Sequence, residues 1–285
     1  MIPLKISVNE LELAGFSSTT TPLEQIRAPT IALHGWLDNA ASFAPLWPYL
    51  KCQPLLALDL PGHGYSSHRT AGAAYYFIEW AADIVALIED YNWQEVHLIG
   101  HSMGAFVSQL VASIIPERVA GISLIEGFGL LTFTADETRQ KLKEALAQRR
   151  ALATKKAPVY PDVQRIIKVR AETSKVTPEQ IAGIVERNLR AVPGGWSWRV
   201  DPRVRLGSPF RFTLEQANNL MAGIQCPVQL IRGETGFTEL DQAVAQWSGS
   251  MHAFQQVLLK GGHHLHLQYP QQVASEINAF VKQLV

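Results

Sequence analysis

The sequence predicts a mostly parallel α/β fold in which helices cover both faces of the sheet. Short apolar runs that end at a glycine or an acid recur along the chain, and helical patterns separate them. Runs of this kind are typical of strands that are buried on both faces. Strands that alternate with helices indicate a doubly wound architecture with right-handed crossovers. The 285 residues, 47% of them hydrophobic, are enough for a large core.

The predicted elements follow a simple order along the chain. The first is a hairpin of residues 2–8 and 11–16, with its turn at Asn9-Glu10. Six further strands, which bring the predicted sheet to eight, are expected at 30–33, 54–58, 96–99, 122–125, 227–231 and 254–258. Helices are predicted between and after them at 43–50, 75–91, 105–115, 239–247 and 270–284.

The stretch from 127 to about 219 has a different pattern, because it contains no strand of the buried type. Its predicted helices lie at 136–152, 161–171 and 177–189, and a loop is expected at Pro193-Gly194-Gly195-Trp196. We therefore predict an α/β core domain formed by residues 1–126 and 220–285. Residues 127–219 are predicted to form a helical cap, or lid, inserted into that domain.

The charge balance, the two cysteines and the N-terminus limit the partners, the cysteine chemistry and the localisation that can be expected. The 25 basic residues balance the 25 acidic ones, so we expect no nucleic-acid partner, and charge gives no reason to expect an anionic membrane as the main partner. The basic residues between Arg139 and Lys156 alternate with Ala and Leu at helical spacing, which favours a solvated helix face. Cys52 and Cys226 lack a metal or redox spacing and are predicted to be reduced thiols. Without a leader-like N-terminus or a run of about 20 apolar residues, the chain is expected to be soluble and cytoplasmic.

The segment Gly100-His101-Ser102-Met103-Gly104 is the first candidate for chemistry. It lies between a predicted strand and a predicted helix. A serine hydroxyl becomes a useful nucleophile when a sharp strand-to-helix turn exposes it next to a base and to donors for an oxyanion. The pattern Gly-x-Ser-x-Gly in this context indicates such a nucleophile elbow. Ser102 is therefore the candidate nucleophile.

Two backbone N–H groups are candidates for the oxyanion hole. The helix after Ser102 directs its free N–H groups and its positive dipole end at the site, which selects the N–H of Met103. The second donor should come from a loop at the end of an earlier strand. His34-Gly35-Trp36 has this position, and the N–H of Trp36 is the candidate.

A base is expected in the loop Gly261-Gly262-His263-His264-Leu265-His266, which follows the last predicted strand. Open α/β sheets bind ligands at this edge. Spacing alone does not choose between His263, His264 and His266. Because no second Asp/His cluster with ligand spacing stands elsewhere in the sequence, we predict no metal, and no other cofactor is implied.

Four motifs together resemble the α/β-hydrolase superfamily along nearly the whole chain. Within it the chain is similar to the serine hydrolase-like proteins, and its core is also similar to haloalkane dehalogenases. The resemblance implies that His263 is the catalytic histidine, since it follows a glycine and lies seven residues before Pro270. The motif from Asp59 to Ser66 is mainly structural in that family. The motifs are His34-Gly35-Trp36, Asp59-Leu60-Pro61-Gly62-His63-Gly64-Tyr65-Ser66, Gly100-His101-Ser102-Met103-Gly104 and Gly262-His263.

The acid of the expected triad departs from the commonest family pattern, which is Gly-x-x-Asp after the penultimate strand. Gly236 stands where that Asp would be. Glu126 is the favoured acid, because it directly follows an apolar strand and the resembling families place an acid there. Glu234 is the alternative acid. Glu239 and Asp241 are the remaining candidates.

The resemblance and the motifs predict a serine hydrolase of the carboxylesterase kind, working through an acyl-enzyme. A thioester, a lactone or a carbon–carbon bond stays open as the bond that is cleaved. A non-catalytic receptor of the same fold is the alternative from another class. Dehalogenation is not expected, because that reaction uses an Asp nucleophile and position 102 is Ser. The expected partner is a small molecule with an apolar portion, suggested by the lid aromatics Phe128, Phe133, Trp196, Trp198 and Phe210.

Overall fold

The computed structural model describes residues 1–284, which form ten strands and nine α-helices. The strands are β1 (Ile2–Val8), β2 (Leu11–Ser17), β3 (Thr30–Leu33), β4 (Leu55–Leu58), β5 (Val96–His101), β6 (Val119–Ile125), β7 (Leu189–Val192), β8 (Gly195–Trp198), β9 (Val228–Thr235) and β10 (Phe254–Gly262). The helices are α1 (Phe77–Asp90), α2 (Met103–Ile114), α3 (Thr138–Ala153), α4 (Val163–Ser174), α5 (Pro178–Arg187), α6 (Leu214–Ala222), α7 (Glu239–Trp247), α8 (Leu265–Gln268) and α9 (Pro270–Val281).

Eight strands form one sheet in the order β1-β2-β4-β3-β5-β6-β9-β10. The N-terminal hairpin is antiparallel, as is its pairing with β4, and all remaining pairs are parallel. The predicted fold class, a mostly parallel eight-stranded sheet flanked by helices, is confirmed. Because the six parallel strands run in one direction, their carboxyl ends meet at one edge of the sheet.

The core has two halves, one on each face of the sheet. Successive strand residues point to opposite faces, so Leu98 packs in the half that contains α1 and α2, whereas Ile99 packs in the half that contains α9. Both side chains are fully buried. Central strands that are apolar on both faces are what a doubly covered parallel sheet requires.

The segment between β6 and β9 holds four helices and the β7–β8 hairpin. Helices α4 and α5 share a small core of their own, in which Ile167, Ile181 and Val185 pack with Leu267 of α8. Helix α6 instead packs on α2, and its Met221 belongs to the main core. The division into a core domain and a lid at 127–219 stays a prediction.

Two local features differ from the sequence predictions. Residues 43–50 do not form an α-helix but a 3-10 turn, Ala40–Phe43, followed by further turns. Pro48 lies within this stretch and cannot donate the hydrogen bond that a helix needs. The hairpin of β7 and β8 was not predicted, because its strands have four residues each and lack an apolar run. Within residues 1–284, no helix has the length and apolar character needed to cross a membrane.

Candidate active site

Ser102 occupies a sharp turn between β5 and α2. Its backbone has φ 50° and ψ −111°, a conformation that residues other than glycine rarely adopt and that indicates strain. A Cβ added to Gly104 would lie 1.9 Å from the carbonyl oxygen of Leu33, so only glycine fits there. The N–H of Ser102 donates to the carbonyl oxygen of Ile125 at 2.9 Å, which joins the turn to the end of β6. The predicted elbow geometry is therefore present.

The sequence candidates converge on one edge of the sheet. Trp36 follows β3, Ser102 follows β5, Glu126 follows β6 and His263 follows β10. The carboxyl ends of parallel strands form the usual ligand edge of an open α/β sheet. Ser102, Trp36 and His263 line one common cavity.

Glu126 and His263 face each other at this edge. The His263 Nδ1 lies 3.4 Å from the Glu126 Oε2, which is a long contact of a kind that is common in catalytic sites without substrate. The Glu126 side chain is fully buried. Its Oε1 accepts the N–H of Gly233 at 2.7 Å, and its Oε2 accepts the N–H of Phe237 at 3.0 Å. These two donors fix the carboxylate in front of the imidazole.

Gly236 makes room for that carboxylate. A Cβ at this position would lie 2.2 Å from Oε1 and 2.3 Å from Oε2 of Glu126. No real side chain can occupy that space without displacing the acid. The residue that replaces the common family Asp therefore also provides the space that Glu126 fills.

The other sequence candidates for the acid lie apart from His263. Glu234 is exposed on β9. Asp241 pairs with Arg232 at 2.6 Å. Glu239 is exposed and lines a neighbouring cavity.

The three histidines of the last loop have different surroundings. His266 is buried, and its Nε2 lies 2.8 Å from the Ser42 hydroxyl. Burial lowers the pKa of His266 to about 3, so its imidazole is neutral at pH 7. The Nε2 of His264 lies 3.7 Å from the Oδ2 of Asp38. His263 is the one of the three whose ring meets Glu126.

His101 and Phe237 support His263, and sequence reasoning did not select either. The His101 imidazole is buried, and its Nε2 lies 2.9 Å from the carbonyl oxygen of His263. The Phe237 ring stacks on the His263 ring with 3.9 Å between centroids. The position of His101 inside the elbow motif was the available signal for its role. Phe237 had none, because it lies in a polar loop.

The loop after β3 leaves the candidate oxyanion donors free. The Nε2 of His34 accepts the N–H of Leu60 at 2.9 Å, so its Nδ1 carries the proton and donates to the carbonyl oxygen of Gly35 at 2.8 Å. The Trp36 indole donates to the carbonyl oxygen of Val204 at 3.0 Å. Within residues 1–284, the backbone N–H groups of Trp36 and Met103 have no acceptor.

Arg170 forms an ion pair with the buried Asp38 beside the site. The Arg170 Nη2 donates to the Asp38 Oδ1 at 2.8 Å, which connects α4 to the loop that carries Trp36. Burial alone would raise the pKa of Asp38, but the neighbouring His264, together with Arg170 and His101, holds it well below its usual range. Asp38 is therefore ionised. An acid in the loop directly after β3 was the available sequence signal.

Ser102 lies on the wall of two cavities. The first, called here the aromatic cavity, has a volume of about 610 Å³ and is lined by Phe106, Phe128, Phe237 and Trp247. The second, the histidine cavity, has a volume of about 470 Å³ and contains His263. Of the lid aromatics noted in the sequence, Phe128 thus lies at the site, whereas Phe210 is exposed.

No metal cluster accompanies these residues. Within the described chain, 1–284, no group of three or more His, Cys, Asp or Glu side chains is arranged to hold an ion. Cys52 and Cys226 are both free and buried.

The sheet order and the elbow define the class of protein. The family model for the alpha/beta hydrolase fold matches residues 29–270, and the chain belongs to this family. A probable serine hydrolase of Drosophila melanogaster is 32% identical over 270 residues, which cover 90% of this chain and 82% of that protein. A serine hydrolase-like protein of Danio rerio is 27% identical over 267 residues, covering 89% and 81% of the two chains. The resemblance to serine hydrolase-like proteins is confirmed.

A solved structure agrees with this assignment over the full chain. The crystal structure of a hypothetical protein from Pseudomonas aeruginosa PAO1 is 38% identical, with a TM-score of 0.89. The match covers 99% of this chain and 100% of that one. The whole architecture, including the segment between β6 and β9, thus recurs in a relative of similar length.

Proposed function

We propose that this protein is a serine hydrolase that cleaves a carboxylic ester or a related acyl bond through Ser102, His263 and Glu126. Membership of the alpha/beta hydrolase family and the serine hydrolase-like relatives support hydrolytic chemistry. The observation that carries the proposal is the buried Glu126 carboxylate opposite the His263 Nδ1, next to the strained Ser102 turn.

The proposed reaction has two halves. His263 removes the hydroxyl proton of Ser102, whose oxygen attacks the acyl carbon. The bond to the leaving group then breaks as His263 returns the proton to that group. Water, activated in the same way, splits the acyl-enzyme to a carboxylic acid and restores Ser102. Glu126 orients the imidazole and stabilises its charged form.

The N–H groups of Trp36 and Met103 are the proposed oxyanion donors. Both are free of internal acceptors within residues 1–284, so no bond has to break before they bind the oxyanion. Met103 also begins α2, whose dipole favours negative charge at this end. Donors that are oriented in advance stabilise the tetrahedral intermediate at little cost of reorganisation.

Labelling and turnover test this proposal together. We expect a fluorophosphonate probe to label the wild-type protein and p-nitrophenyl butyrate to be hydrolysed with a burst. Ser102→Ala should abolish labelling and lower turnover by at least about 10⁴-fold. The control is Ser7→Ala, at an exposed position of β1, which should behave as wild type. If the wild-type protein shows neither labelling nor turnover, the hydrolase proposal is wrong.

A further inference from the structure

The two cavities beside Ser102 receive different halves of a substrate, if the proposed function holds. In the proposed reaction His263 protonates the leaving group, so that group must lie on the side of His263. His263 lines the histidine cavity, whereas the aromatic cavity is lined by Ser102 but not by His263. The acyl group therefore belongs in the aromatic cavity and the leaving group in the histidine cavity.

Two further cavities share lining residues with the histidine cavity in turn. The first, the α4–α5 cavity, has a volume of about 560 Å³ and shares Arg170 and Thr173 with the histidine cavity. The second, the basic cavity, has a volume of about 780 Å³ and shares Trp198 and Arg205 with the α4–α5 cavity. Spaces of this size are those of ordinary ligand sites. A leaving group as small as ethanol would leave both of them empty.

The basic cavity concentrates positive charge in a chain whose net charge is zero. Five cations line it, and no Asp or Glu does. Within residues 1–284, none of the five lies in an ion pair. The cations are Lys155, Lys156, Arg190, Arg199 and Arg205.

Two observations separate these cations from the charges nearer to Ser102. Arg170 is already neutralised by Asp38, so it positions the loop after β3 and leaves little charge for a ligand. Arg205 lines both the α4–α5 cavity and the basic cavity, and within residues 1–284 it forms no ion pair. A negatively charged ligand in the basic cavity would be able to pair with Arg205.

We propose that the natural substrate is an acyl ester or thioester whose leaving group carries phosphate, with an apolar acyl group. The acyl chain lies in the aromatic cavity, and the phosphate lies among the cations of the basic cavity. Guanidinium forks match phosphate oxygens in pairs, and these charged hydrogen bonds are stronger than neutral ones. The leaving group spans the histidine and α4–α5 cavities between its reacting atom and its phosphate.

The chemical step is the one already given, with a defined leaving group. Ser102 attacks the acyl carbon, the carbon–oxygen or carbon–sulfur bond breaks, and the proton from His263 passes to the departing oxygen or sulfur. Water then releases the carboxylic acid. The products are one fatty or otherwise apolar acid and one phosphorylated alcohol or thiol. No oxidant, reductant or metal is needed.

Matched substrate pairs test the proposal. The first pair is the octanoyl thioester of phosphopantetheine and that of pantetheine, and the second is octanoyl glycerol 3-phosphate and octanoyl glycerol. We expect kcat/KM for the phosphorylated member of at least one pair to exceed that of its neutral partner by about 10- to 100-fold, the range of a charged hydrogen-bond set. A preference in the first pair identifies a thiol carrier, and one in the second identifies an alcohol.

Charge substitutions connect that preference to the basic cavity. We expect Arg190→Gln combined with Arg205→Gln to reduce the ratio of kcat/KM between the phosphorylated and the neutral substrate of the preferred pair to about 3 or less. The matched control is Arg27→Gln combined with Lys282→Gln, two exposed cations that line none of these cavities, and it should keep the wild-type ratio. A ratio near one in both pairs, or a ratio that the Arg190 and Arg205 substitutions leave unchanged, would overturn the proposal.

The two proposals fail in different ways. Hydrolysis of p-nitrophenyl butyrate without any preference for phosphorylated substrates contradicts the proposed substrate class and leaves the hydrolase proposal intact. If the wild-type protein shows neither fluorophosphonate labelling nor turnover of any substrate, the hydrolase proposal is contradicted. In that case titration calorimetry of phosphopantetheine with the Ser102→Ala protein still tests the basic cavity. Binding that becomes about tenfold weaker when Arg190→Gln and Arg205→Gln are added to this protein supports the site. The absence of binding to the Ser102→Ala protein excludes it.

Discussion

The Glu126 carboxylate is held from three sides, although nothing in the sequence next to it suggests this. Its backbone has φ 52°, in the left-handed region that few residues other than glycine adopt. This conformation turns the side chain toward the donors Gly233 and Phe237 and toward His263. Strain at such a position persists where the surrounding contacts determine it, and it is frequent in active sites.

The acid assignment has a direct test at the scale of single residues. We expect Glu126→Gln to lower kcat for p-nitrophenyl butyrate by about 10⁴-fold, because an amide neither fixes the imidazole tautomer nor stabilises its positive charge. The matched control is Glu234→Gln, at an exposed position, which should change kcat less than about threefold. A collapse of activity in the control variant instead would move the acid to Glu234.

A folding effect can be separated from the catalytic one. Glu126→Gln should add little to the loss already caused by His263→Ala, because residues that act as a unit are strongly non-additive. If the losses of activity add in the double variant, Glu126 has only a structural role.

The candidate nucleophile and the candidate histidine could be named from the sequence, whereas the long-range contacts around them could not. Ser102 stands in a short local motif, and the choice of His263 rests on the family resemblance, in which the catalytic histidine lies seven residues before a proline. The contact of Asp38 with Arg170 joins residues that are 132 positions apart. No local pattern specifies such a pairing, because it depends on how α4 is laid over the sheet edge. The fit of Gly236 around Glu126 depends on a similar long-range approach.

At the scale of elements, an ion pair with a fully buried carboxylate helps to attach α5 to the sheet edge. Arg187, the last residue of α5, donates from its Nε to both carboxylate oxygens of Asp59 at 3.0 Å. Asp59 also accepts the N–H of Ala40 and that of Tyr65, each at 2.8 Å. The Asp59 loop thus links the hairpin of α4 and α5 to the segment that follows Trp36. This agrees with the structural role that the family resemblance implied for the loop.

Removing the Arg187 charge should destabilise the protein. Asp59 has no exposed surface and would be left as a buried, partly unpaired carboxylate. We expect Arg187→Met to lower the free energy of unfolding by about 3 kcal/mol, measured by urea denaturation at pH 7. The matched control is Arg190→Met, at an exposed position, with an expected change within about 0.5 kcal/mol. Equal effects of the two substitutions would show that the pair contributes no specific stability.

The regular elements were easier to predict than the connections between them. Buried parallel strands carry a continuous apolar run, so β3 and the strands beside it could be placed within a few residues. Helix α6 was missed, although Thr213 and Gln216 form a capping box at its start. Its nine residues show only a short apolar face, and packing on α2 supplies the rest of its stability.

At the scale of the whole molecule, buried histidines make stability depend on pH. Six of the nine histidines are buried. Burial alone lowers the pKa of His97 to about 3, and its Nε2 lies 3.0 Å from the Ser123 hydroxyl. The unfolded imidazole has a pKa of 6.5, so the unfolded state binds a proton over an interval in which the folded state does not. Stability from this residue is therefore lost as the pH falls from about 6.5 to about 3.

Replacing His97 should weaken this dependence. Between pH 7.5 and 4.5 the wild-type free energy of unfolding should fall by about 2 to 3 kcal/mol more than that of His97→Leu. Urea denaturation at the two pH values measures the difference. The control is His252→Asn, at an exposed position, which should keep the wild-type dependence. The same pH dependence in His97→Leu and in the wild-type protein would assign the acid sensitivity to other groups.

The space at Gly236 has a consequence for how this site could have arisen from the commoner arrangement. Because a single added carbon there overlaps the Glu126 carboxylate, an acid at position 236 and an acid at position 126 cannot be present together in this backbone. A lineage that exchanges one for the other must therefore pass through a chain with neither acid in place, or through a compensating movement of the loop. Residues 126 and 236 should accordingly change in concert among relatives, as a pair that is inherited or exchanged together.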